Sequence, residues 1–121
     1  MKKCLDTYAL IEIKLGNPKF ARYLDIDFVI TDITLAEFYS VLLREEDEKT
    51  ADYLYKKFSS RSAPVDKIIL KESVKFRHEN KKTGLSFFDA VGYIFSIRNE
   101  CLFVTGDKEF EDMENVEFVK K

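Results

Sequence analysis

Short apolar runs alternate with stretches of helical spacing along the whole chain. KKCL is a brief apolar-ended run, and after Asp6 and Thr7 the residues Ala9, Leu10 and Ile13 recur at helical spacing up to Gly16. Asn17 before Pro18 fits an N-cap with proline at the first helical position, and Phe20 with Leu24 forms the apolar side of a second short helix. DFVIT has the length and β-branched content of a buried strand. It is followed by TLAEFYSVLLRE, with Leu35, Phe38, Leu42 and Leu43 at helical spacing, and by EDEKTADYLYKKFSS, with Ala51, Leu54, Tyr55 and Phe58 turned inward. The break at Ser62, Ala63 and Pro64 and a brief extended piece around Val65 lead into KIILKESVKFRHENKK, whose apolar stripe includes Ile69, Leu70 and Val74.

After a turn at TGL, SFFDAVGYIFSIRNE is the most apolar helix, with Val91, Ile94, Phe95 and Ile97 on several faces, as expected of a helix between a sheet and another layer. CLFVT and VEFV close the chain as strands around the short segment KEFEDM. Strands alternating with helices predict an α/β fold, a three-layer α/β/α arrangement with an open, mainly parallel central sheet and right-handed crossovers. No repeat or linker divides the 121 residues, so a single domain, 1–121, is expected.

Four acids change this picture from a fold to a site. Asp6 and Asp107 sit where strands end, and Glu37 and Asp89 where helices are expected to begin. In an open parallel sheet the ligand crevice lies beyond the carboxyl ends of the strands, so all four gather at one edge. Close carboxylates repel by about 4 kcal/mol per pair at intermediate dielectric, so such a cluster takes up protons or holds a cation. Helix dipoles favour the ionised form at first-turn positions, and ionised oxygen donors suit Mg²⁺ or Mn²⁺. Each acid taken singly also has a local reading. Thr34 with Glu37, and Ser86 with Asp89, match capping boxes, and Asp6 and Asp107 suit N-caps after a strand. Only their convergence favours metal binding, and one carboxylate can do both.

These motifs resemble the PIN-domain ribonucleases, of the small single-domain kind that includes VapC-type toxins. LDTYALIEI resembles the opening strand and Asp-Thr motif, ITLAEFYSVL the glutamate motif, SFFDAVGYIFS the aspartate that begins an apolar helix, and LFVTGDKEF the strand-to-Thr-x-Asp ending. The resemblance implies that Asp6, Asp89 and Asp107 ligate the divalent ion, with Glu37 a ligand or support and Thr7 and Thr105 orienting ligand or water. Glu109 stands where members often carry a further aspartate. It implies a metal-dependent endoribonuclease that hydrolyses RNA phosphodiester bonds, with Mg²⁺ or Mn²⁺ as cofactor. It further suggests a homodimer and an antitoxin protein as partners of a toxin in a toxin–antitoxin pair.

Charge and the remaining chemistry narrow the alternatives. The net charge of −2 and pI near 5.5 argue against coating nucleic acid through bulk positive field, though not against a nuclease with a local row of cations. Lys67, Lys71 and Lys75, followed by Lys81 and Lys82, form such a row, but interleaved Glu72 and Glu79 favour a solvated helix face. Tyr8 and Tyr39 are the better candidates for stacking on unpaired bases, while Phe38 and Phe88 fit the core.

His78, the sole histidine, lies on a polar helix end with no nucleophile pattern, and the glycines form no nucleotide-binding loop. Cys4 and Cys101 read as buried thiols on strands that could be neighbours, without zinc spacing. The absence of a membrane-spanning run or secretory signal predicts a cytoplasmic protein. A receiver-like phosphoryl-transfer domain would need paired acids near the first strand, and Asp6 is followed by Thr7 and Tyr8. An inert RNA-binding or protein-docking module of the same fold is the alternative, and it would have no need to keep four acids.

Overall fold

A computed structural model describes all residues, Met1–Lys121. Its strands are β1 (Lys2–Leu5), β2 (Phe28–Thr31), β3 (Ser62–Ala63), β4 (Cys101–Thr105) and β5 (Val116–Phe118), all parallel in the order β3-β2-β1-β4-β5. The helices are α1 (Thr7–Lys14), α2 (Pro18–Ala21), α3 (Asp32–Glu45), α4 (Glu48–Ser59), α5 (Lys67–Glu79) and α6 (Phe87–Arg98), with short 3-10 turns at Arg22–Asp25, Lys81–Thr83 and Lys108–Phe110. Helices cover both faces of the sheet, which makes the molecule the three-layer α/β/α fold that the alternation predicts.

Alternation along the strands sorts the core into two halves. Leu5, Phe28, Ile30 and Val104 pack with Leu10, Phe38, Leu42 and Phe58 under the first four helices. Cys4, Val29, Cys101 and Phe103 face the other way, against Ile69, Tyr93 and Phe95 of α5 and α6. A buried phenylalanine contributes about 1.5–3 kcal/mol, and Phe20, Phe38, Phe103 and Phe110 are fully buried. Gly92 lets α6 lie close against the sheet, because a Cβ there would stand 2.7 Å from the Phe103 ring. Cys4 and Cys101 are buried free thiols on adjacent strands, as their sequence context predicts. No helix is long and apolar enough to cross a membrane.

Several side chains expected inside lie outside. Leu24, Leu43, Tyr55, Val74, Phe88 and Ile97 are all exposed by more than a third. At the first short helix it is Tyr23, not Leu24, that is buried. Helical spacing locates a stripe, but its edges become solvent when the neighbouring layer is narrow. The third strand comes earlier than Val65, at Ser62–Ala63, because Ile30 and Thr31 pair with those residues at the sheet edge.

One feature of this topology fixes where a ligand can go. The chain builds β1, β2 and β3 outward in one direction, then returns through α5 and α6 to lay β4 on the other side of β1. Connections leave the carboxyl ends of β1 and β4 toward opposite sides, which opens a crevice between them.

Candidate functional site

Asp6 and Asp107 stand at that crevice. The Asp6 amide donates to the Val104 carbonyl at 3.2 Å, which extends the β1–β4 ladder by one bond before the chain turns into α1. Its Oδ1 accepts from the Ala9 amide at 2.8 Å and so caps α1. Its Oδ2 is buried without any hydrogen-bond partner. Asp107 follows β4 after Gly106; its Oδ1 accepts from the Glu109 amide at 3.0 Å, and its own amide donates to the Thr105 hydroxyl at 3.0 Å. Both candidate aspartates therefore cap the segments that follow them.

Helix starts position the other two acids. Ser86 caps α6, its hydroxyl accepting from the Asp89 amide at 3.1 Å, and this places Asp89 in the first turn. The expected Thr34–Glu37 box does not form. Thr31, the last residue of β2, caps α3 by accepting from the Thr34 amide at 2.9 Å, so the helix begins three residues earlier and Glu37 lies in its second turn. Dipole support fades beyond the first turn. Glu37 is held instead by the Thr7 hydroxyl, which donates to its Oε1 and ties α3 to α1.

Electrostatics brings the four acids together. Asp89 is pushed up to about 7 by burial first, then by the negative charges of Glu37 and Asp107. Asp6 rises well above the ordinary carboxylate range, again through burial first and next through Asp89, with Asp107 adding to it. The Ala9 amide opposes that rise, as does the nearby Thr105 hydroxyl, although no group completes a hydrogen bond to Oδ2. Asp89 is thus the hub, coupled to each of the other three.

A cation fits this donor set by chemistry, since the oxygens are hard, crowded and short of counter-charge, and one of them is buried and orphaned. The side chains as they stand do not close around an ion, for no three of them reach coordinating distance of one point.

Comparison with known proteins agrees with the topology. The PIN domain family model matches residues 3–116. The chain belongs to the PIN domain family. No curated protein matches it in sequence. Among solved structures, VapC20 of Mycobacterium tuberculosis, described as a sarcin–ricin loop cleaving toxin, superposes with a TM-score of 0.81 at 14% identity, over 100% of each chain. VapBC2 of Rickettsia felis, bound to a DNA fragment from its promoter, gives 0.78 at 17% identity, over 100% of this chain and 99% of the other. A toxin–antitoxin complex from Klebsiella pneumoniae gives 0.77 at 19% identity, over 98% and 99% of the two chains. At these identities the likeness concerns the fold.

Other residues of this PIN domain divide between site and surroundings. Thr105 is fully buried beneath Asp107, whereas the Glu109 side chain is exposed and only its amide takes part. Lys67, Lys71 and Lys75 are exposed along α5, and Glu72 among them pairs with Arg98 of α6. Tyr39 is engaged elsewhere, its hydroxyl bonded to Asp52 and its ring set against Tyr55 in the α3–α4 seam. Phe88, expected in the core, instead lines an open cavity with Glu37 and Arg44. Sequence reasoning also passed over Lys108 and Lys120, which line a cavity with Tyr8 and Gly106. Their signal was weak, because isolated lysines carry no spacing pattern.

Proposed function

We propose that this PIN domain is a divalent-metal-dependent endoribonuclease, acting as the toxin of a toxin–antitoxin pair. The observation that carries the reading is the carboxylate cluster at the sheet's switch point, with Asp89 pushed up to about 7 and Asp6 Oδ2 buried without a partner. A protein gains nothing in stability from such crowding, so shifted titration of this kind in a crevice supports reading it as a working site.

Asp6, Asp89 and Asp107 would hold Mg²⁺ or Mn²⁺, with Glu37 as ligand or support. When bound, the ion supplies acidification of an attacking water and offsets charge growing on the phosphate oxygens. The chain's own residues prepare that role. Ala9 fixes one oxygen of Asp6 and leaves the other free, Thr7 orients Glu37, and Thr105 pins the backbone that presents Asp107. Ser86 sets the start of α6 and with it the position of Asp89.

The toxin role draws on the solved neighbours, of which several are toxin–antitoxin assemblies. An antitoxin protein and a second copy of the chain are accordingly the proposed partners. The inert-module reading has one observation in its favour, that no three donors reach coordinating distance of one point.

Purified protein incubated with structured RNAs and with DNA, in Mg²⁺, Mn²⁺ or chelator, separates the two. Chelator-sensitive RNA cutting, abolished in both Asp6→Asn and Asp89→Asn while circular dichroism is unchanged, supports the nuclease. Cutting that persists equally in both variants, or tight RNA binding without cutting under any metal, refutes it.

A further inference from the structure

A cavity of about 460 Å³ opens at residues that neighbour Asp6 and Asp107 in the chain, and none of the four acids lines it. Its wall is made by two residues that flank the acids along the chain: Tyr8, two places after Asp6, and Gly106, immediately before Asp107. Lys108, immediately after Asp107, adds a cation, and Phe118 at the end of β5 with Lys120 just beyond it completes the lining. Thus residues close in the chain to both aspartates at the ends of β1 and β4 line this one space.

The Tyr8 ring is fixed in place. It leans on Gly106 so closely that a Cβ there would stand 2.3 Å from the ring, and the Phe20 ring lies 5.9 Å away at a tilt of 50°. Held on those sides, the half-buried ring still faces the cavity, so stacking on it would order little that is not already ordered. Charge in the cavity is positive overall, unlike the chain as a whole. Glu111 is its single acid, set against Lys108, Lys120 and Lys121, and of these only Lys121 forms an ion pair, to Glu12 at 3.6 Å. An aromatic face next to unpaired cations matches a nucleotide of a single strand, whose base stacks and whose phosphate needs counter-charge.

We propose that the cavity bounded by Tyr8, Gly106, Lys108 and Lys120 is a nucleotide subsite that holds the residue of single-stranded RNA next to the scissile phosphate, its base on Tyr8 and its phosphate on the two lysines. The subsite rests on the nuclease reading for the word scissile, but its binding does not require catalysis. In this arrangement Tyr8 and the lysines bind and orient the strand, and the acid cluster lies beside it.

The test is fluorescence anisotropy with a labelled single-stranded RNA hexamer, with Ca²⁺ in place of Mg²⁺ and the RNA checked intact on a gel. Tyr8→Ala should weaken binding by roughly tenfold or more, and Tyr8→Phe should retain it. Lys108→Ala and Lys120→Ala should each weaken it and flatten its salt dependence by about one phosphate contact. Tyr53→Ala, at an exposed tyrosine on α4, should leave it unchanged.

Binding by Tyr8→Ala and Lys120→Ala equal to the parent protein's overturns the subsite, as does no binding by the parent protein or an equal loss in Tyr53→Ala. Equal affinity for the same sequence in DNA overturns its assignment to RNA. The Lys120→Ala variant, at an exposed position, keeps the test decisive should Tyr8→Ala misfold. A protein that cleaves RNA but binds it independently of Tyr8 and Lys120 refutes the subsite and leaves the nuclease standing. Binding that depends on both, without cleavage in any metal, does the reverse.

Discussion

Asp89→Asn should stabilise the ion-free protein while destroying its activity. In the fold this carboxyl is held at about 7, against 3.8 for the ordinary group, because burial and the charges of Glu37 and Asp107 disfavour its anion. Between those two pH values the folded state binds a proton that the unfolded chain has released, so stability falls as pH rises, from about pH 4 until the loss is complete near pH 7. At about 1.4 kcal/mol per pH unit the loss reaches up to about 4 kcal/mol. Asparagine has the same shape without the charge and escapes it.

The assay is thermal unfolding of both proteins in chelator from pH 4 to pH 8. Their melting temperatures should coincide near pH 4 and separate progressively, with the variant higher, by about 3–5 °C per kcal/mol for a chain of 121 residues. Because the acids titrate together, the separation belongs to the cluster rather than to Asp89 alone. Adding Mg²⁺ at pH 8 should narrow it by stabilising the parent protein through binding. A variant that is less stable by the same amount at every pH would refute the reasoning, since it would mean that Asp89 contributes contacts rather than repulsion.

Three further outcomes follow from the packing. Gly92→Ala should destabilise by about 1–3 kcal/mol in urea titration, because its Cβ would meet the buried Phe103 ring at 2.7 Å; an unchanged midpoint would show that α6 can move off the sheet. Neither thiol should react with a disulfide reagent at pH 8 in the native protein, since burial pushes Cys4 up to about 12 and also raises Cys101, and both should react once the chain is unfolded. Lys71→Glu, on the solvent face of α5, should leave the RNA concentration for half-maximal cleavage within about twofold, and a larger increase would make that face part of the RNA path.

Local pattern alone determined much of this protein. Periodicity located the long helices and every strand but the two-residue edge strand at Ser62–Ala63, since a buried strand and an amphipathic helix each leave their own spacing in the sequence, and two residues are too few to show one. The caps at Asn17 and Ser86 were legible because a capping residue acts within three positions of itself. At TDITLAE the local pattern pointed to Thr34 as the start, whereas Thr31, paired with Ala63 at the end of β2, caps the helix three residues earlier. The edges of the apolar stripes were likewise undecided, because whether Val74, Tyr55 or Ile97 is covered depends on the width of the layer beside it.

The acids were recognisable one by one in the sequence, but their coupling was not a local property. It arises because β4 returns to the far side of β1, which sets Asp6 beside Asp107 and brings the starts of α1 and α6 to the same crevice. Strand order is decided by which sheet faces can be buried together, a sum over contacts distant in the chain. The same return gathered Tyr8, Lys108 and Lys120 around one cavity, where residues without any shared spacing met only through the fold.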